Sequence, residues 1–118
     1  MRDHTKLRAF ELADDLAVLI YRITVKFPKE EIYGLTSQMR RAAVSVPSNI
    51  VEGCARSSQI EYSRFLEIAL ASLKELSYQF SLSIRLGYIN EQETIIKECN
   101  SKLTETSKVL SALFRKMR

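Results

Sequence analysis

The stretch from Gly34 to Arg56 most narrows what this chain can fold into. Leu35, Met39, Ala42, Ala43, Val46 and Ile50 recur at three- and four-residue spacing, which predicts one apolar face of an α-helix. Pro47 falls inside that pattern. Its missing amide and its ring, which crowds the preceding turn, predict a kink or a local break there. On a helical wheel at ~100° per residue, Gln38, Arg41, Ser45, Ser48, Asn49, Glu52 and Arg56 gather on one flank. A surface that only confers solubility is usually rich in Lys and Glu. This flank instead carries short hydrogen-bonding residues bracketed by arginines.

The rest of the chain repeats the helical period. Leu7, Phe10, Ala13, Leu16, Ile20, Ile23 and Phe27 predict a first helix from near Thr5 to near Lys26, stopped by Pro28. Residues 28–34 form a connection. Thr36 is the expected N-cap of the second helix, which runs to about Cys54. Ser58 and Glu61 have capping-box spacing and open a third helix. Its core face carries Tyr62, Phe65, Leu66, Ala69, Leu73, Leu76, Phe80 and Ile84, and Gly87 supplies its stop. Asn90 and Glu93 repeat the capping spacing ahead of a fourth helix, with Ile95, Ile96, Cys99, Leu103, Leu110 and Leu113 inward. Only two prolines and three glycines are available for turns, so the links must be short. At 118 residues there is room for one core. The expectation is a single all-α domain over 1–118, an antiparallel up-down-up-down four-helix bundle whose second helix is kinked near Pro47.

The pattern leaves little room for catalysis. The one histidine, His4, lies near a terminus, so the Glu-x-x-His pairs of a di-iron bundle cannot be made. Cys54 and Cys99 are far apart and lack zinc spacing; they read as buried free thiols. There is no phosphate-binding glycine loop, and Ser45 and Ser48 have no histidine base. No enzyme, no cofactor and no metal are expected. No signal-peptide core is visible, and the run Ala17–Tyr21 is too short to span a bilayer. A cytoplasmic protein without a membrane role is expected, and two unpaired cysteines suit that compartment.

Several motifs together carry a family resemblance. They are Phe27-Pro28, Glu31-Ile32-Tyr33-Gly34-Leu35-Thr36, Gln38, Arg40-Arg41-Ala42-Ala43, Ser45-Val46-Pro47-Ser48-Asn49-Ile50, Glu52-Gly53 and Arg56. Phe65-Leu66, Ala69, Ser72-Leu73, Glu75-Leu76 and Leu86-Gly87-Tyr88 extend them. In these the chain resembles the bacterial four helix bundle protein family, also called the 23S ribosomal RNA intervening-sequence protein family. The resemblance implies a small four-helix bundle that assembles as a ring-like homo-oligomer, typically a pentamer. Members are encoded within or near ribosomal RNA insertions, and relatives serve as accessory proteins of diversity-generating retroelements.

The flank of the second helix has two readings. In one, Glu52 pairs with Arg41 or Arg56, while Ser48 and Asn49 bond the backbone that Pro47 frees; such pairs contribute only ~0.3–0.5 kcal/mol. In the other, Arg40, Arg41 and Arg56 meet phosphates, for which the guanidinium fork is suited. Adjacent Arg40 and Arg41 point to different flanks and cannot both pair with Glu52. A second strip, Val44, Ser48, Val51 and Ala55, is small to apolar. It is either covered within one bundle or forms a contact between copies. The formal charge of +4 and pI of about 9.2 permit an anionic partner without requiring one. Two function classes follow. One is a homo-oligomeric nucleic-acid-binding adaptor contacting RNA, DNA or a ribonucleoprotein through phosphates. The other is a protein-interaction scaffold that binds no nucleic acid.

Overall fold

The computed structural model describes residues 2–117. Four α-helices carry the fold: α1 (Arg8–Thr24), α2 (Leu35–Cys54), α3 (Gln59–Arg85) and α4 (Thr94–Lys116). Short 3-10 turns at His4–Lys6 and Lys29–Glu31 precede α1 and α2. Among the described residues there is no strand. Each helix packs on the next and α4 closes on α1, while the backbones of the diagonal pairs stay more than 8 Å apart. That is the antiparallel four-helix bundle its apolar periods predict. The molecule measures 43 × 26 × 21 Å, its long dimension set by α3.

The core is built from the predicted stripes. Leu16, Ile20, Met39, Val46, Ile50, Tyr62, Leu66, Leu76 and Leu110 are essentially inaccessible to solvent. Each such side chain stabilises the fold by ~1.5–3 kcal/mol on burial. α2 lies along α3 over the greatest length. The residues at that seam are small: Ser45 and Ser72 share a 2.8 Å hydrogen bond, and Gly53 sits against Tyr62 and Phe65. Phe10 and Phe65, expected in the core, are only half-buried at its margin.

Local chemistry explains the helix ends, with two corrections. Ser58 caps α3 by accepting from the Glu61 amide at 3.1 Å. Gly87, at φ +78°, ends α3: its amide bonds Ile84 O, and Tyr88 N bonds Ser83 O, a Schellman closure. Thr36, however, is not the cap of α2. It lies buried in the first turn, and Glu31 takes the role by accepting from the Leu35 amide at 2.9 Å. Asn90 does not open α4, which begins four residues later; its Oδ1 accepts from the Gln92 amide in a turn. As expected, α2 continues through a buried Pro47 and is helical from Leu35 to Cys54. Asn49 Nδ2 donates to Ser45 O at 2.8 Å, across the proline, although the carbonyl that Pro47 leaves without an amide is that of Ala43.

Candidate nucleic-acid interface

The predicted arginines point in three different directions, Arg40 and Arg41 from α2 and Arg56 from the turn just after it. Arg40 turns towards α1. Its Nε donates to Thr24 Oγ1 at 2.8 Å and its guanidinium stacks 4.8 Å from the Tyr21 ring centroid. Thr24 also donates to Ile20 O, so this buried threonine is both anchored and paired. Arg56 turns towards α3. Its Nη2 bonds Glu52 Oε2 at 3.0 Å, and the group lies 4.7 Å over the Phe65 ring. Arg41 alone of the three stands exposed with no ion pair to another described residue. The three arginines therefore do not form one cluster. Glu52 pairs with Arg56, not with Arg41.

Asn49 belongs to a polar string between α2 and α3. Its Nδ2 lies 3.0 Å from Ser45 Oγ, which in turn meets Ser72 Oγ. Ser48 does not join this string; it points outwards with Val44 and Ala55, and Val51 is half-buried beside them. Within one chain this strip is not covered: Val44 keeps 40% of its surface exposed. On α1, Val18, Tyr21 and Val25 also face out, at 46, 44 and 74%. Apolar side chains thus stand exposed on the outer sides of both α1 and α2.

The other seams differ. α1 and α4 are laced by ion pairs, Arg8 Nη2 to Glu105 Oε2 at 2.7 Å and Lys102 Nζ to Asp15 Oδ2 at 3.9 Å. α3 and α4 make the least contact of the four pairs and leave an open groove of about 750 Å³. Sequence reasoning did not find Tyr21 and Thr24 as partners of Arg40. A threonine inside the apolar stripe of α1 was the available signal.

Both thiols are buried, and burial pushes Cys99 up to about 12 and Cys54 above its ordinary value. Neither is a nucleophile at neutral pH. Among the described residues no cluster of three His, Cys, Asp or Glu side chains could hold a metal, and no helix is long and apolar enough to cross a membrane.

Residues 5–112 match the family described as 23S rRNA-intervening sequence protein. The chain belongs to that family. Among solved structures it is similar to a protein of unknown function from the S23 ribosomal protein family of Bacteroides thetaiotaomicron VPI-5482. Identity is 26%, over 90% of this chain and 97% of the other, with a TM-score of 0.78. No curated protein matches the sequence. Within this intervening-sequence family member, the Arg40–Arg41 and Ser45–Asn49 motifs thus serve different neighbours: Arg40 ties α2 to α1, and Ser45 and Asn49 line the seam with α3.

Proposed function

We propose that this chain is a non-enzymatic, homo-oligomeric adaptor of the cytoplasm that binds nucleic acid, RNA or a ribonucleoprotein foremost, through phosphates and with little sequence preference. The observation that carries this reading is the uncovered α2 face. A helix of a lone soluble bundle normally turns charge outwards, yet Val44, Ser48, Val51 and Ala55 run down the outside of α2. On α1, Tyr21, beside Arg40, and Val25 are exposed as well, while Val18 borders a hollow shared with α4. The α2 face suits packing against a second copy, and the family resemblance favours a ring of five. Five copies would carry about +20, a field that draws polyanions without base-reading contacts. No RNP sequence, GXXG loop or zinc finger is present, so charge and shape must select the partner.

The scaffold reading has one observation of its own. Arg40 and Arg56 are already occupied by Thr24, Tyr21, Glu52 and Phe65, which leaves Arg41 as the only predicted phosphate contact without an internal partner. Binding to structured RNA and to duplex DNA across a salt series separates the two. The adaptor reading expects binding at low salt that weakens steeply as salt rises. Absence of binding at low salt would leave the scaffold.

A further inference from the structure

We propose that the groove between α3 and α4 is the surface that takes the nucleic-acid backbone. This rests on the adaptor reading above and assigns its contact face.

The charges of the bundle are not evenly shared among its four seams. Ser77, Ser81 and Arg85 of α3 and Asn100, Thr104 and Lys108 of α4 line the groove. Lys97 borders a smaller hollow that continues it, sharing Phe80, Ile84, Glu91 and Asn100. Helical spacing places Lys74 one turn before Ser77 on the same side, and Arg115 two turns beyond Lys108. Lys74, Arg85, Lys97, Lys108 and Arg115 are all exposed and form no ion pair with another described residue. The lining itself carries two cations, Arg85 and Lys108, and one acid, Glu91; a neighbouring hollow that shares Asn100, Thr104 and Lys108 adds Glu105, which is paired with Arg8. The α1–α4 seam, by contrast, neutralises its charges in pairs.

The lining chemistry fits a sugar–phosphate chain. Cations on both rims meet phosphate oxygens, and serine, threonine and asparagine side chains donate to phosphate and sugar. Phe80, Ile84 and Leu103 form an apolar floor, and Tyr78 stands 60% exposed on α3 nearby. An acidic or apolar peptide helix would leave the hydroxyl lining poorly used. The groove also lies across the bundle from the α1–α2 seam, so self-association on that side leaves it open.

The test measures affinity of the full-length chain for a fluorescent structured RNA from low to high salt. Four proteins are compared: wild type, Lys74→Gln/Arg85→Gln/Lys97→Gln/Lys108→Gln, Thr104→Trp and Arg41→Gln. Helicity and mass in solution are checked first; the four rim residues make no internal pair, so both should be kept. The groove expects the quadruple variant to lose roughly 100-fold in affinity and its salt slope to fall by about 3, at roughly 0.7–0.9 unit for each of four phosphate contacts. Thr104→Trp, which fills the groove at constant charge, should also bind at least 10-fold more weakly, and the loss in Arg41→Gln, the phosphate candidate on α2, should be smaller than in either. Wild-type affinity in Thr104→Trp would show that bulk charge alone matters and overturn the groove. A loss confined to Arg41→Gln would overturn it while leaving the adaptor reading intact. Wild type that binds phosphatidylserine vesicles, or nothing, but not RNA or DNA would overturn both.

Discussion

The Tyr88 hydroxyl donates to Glu31 Oε2 at 2.7 Å, and this bond joins the α1–α2 connection to the α3–α4 connection. The other carboxylate oxygen of Glu31 caps α2 at the Leu35 amide. The Leu35 amide and then the Tyr88 hydroxyl hold the Glu31 carboxyl below its ordinary value. A carboxylate lowered on folding stabilises the fold above its unfolded value, near 4, and loses that contribution as pH falls through the lower folded value. Glu31→Gln should therefore lower the melting temperature at pH 7 and flatten its decline below about pH 4. Tyr88→Phe should lower it at pH 7 by less, because the cap survives. Thermal melts from pH 2 to 8 check both; an unchanged acid limb in Glu31→Gln would contradict the assignment.

Adjacent arginines should behave differently. Arg40→Gln breaks the bond to Thr24 and the stack on Tyr21, and should destabilise the protein by about 1–2 kcal/mol. Arg41→Gln, which touches neither, should change stability by less than about 0.5 kcal/mol. Urea unfolding of the two variants reads the difference directly. Equal effects would mean that Arg40 does not anchor α1 to α2.

Gly53 tests the α2–α3 seam. A Cβ there would stand 3.0 Å from Phe65 Cβ and 3.1 Å from Tyr62 Cδ1, both close to the α3 backbone. Alanine in a helix gains ~1 kcal/mol over glycine in propensity, while forcing packed elements apart costs ~1–3 kcal/mol. The packing term should win: Gly53→Ala lowers the melting temperature and Gly53→Val lowers it further. A raised melting temperature in Gly53→Ala would show that the seam yields freely.

Both cysteines should resist modification in the folded protein. Cys54 and Cys99 are 1 and 0% exposed, and burial favours their neutral thiols. A thiol reagent at pH 8 should label neither within minutes, and both once urea unfolds the chain. Rapid native labelling of either would indicate local opening of α2 or α4.

The helix pattern was legible because each apolar stripe is a local repeat and its ends are local chemistry: Ser58 and Gly87 act where their side chains, or lack of one, require. Thr36 and Asn90 show the limit. Both have the right type and spacing for a cap, but Thr36 is drawn into the core and Asn90 serves its own turn. The fate of Arg40 was not legible, since Thr24 lies sixteen residues away and only the α1–α2 register brings them together. Likewise no local pattern sets Lys97 and Lys108 of α4 beside Lys74 and Arg85 of α3. Non-local pairing, rather than any unusual residue, hid the groove.

Self-association through the outer face of α2 is the claim on which the rest stands, and light scattering at micromolar concentration tests it most directly. Wild type should give a mass several times the 13.6 kDa of one chain, with five chains the expected number. Val44→Glu/Ser48→Glu should give a helical monomer, because two charges would be buried between copies without partners. A wild-type mass of 13.6 kDa, or a double variant that assembles as wild type does, would contradict the account.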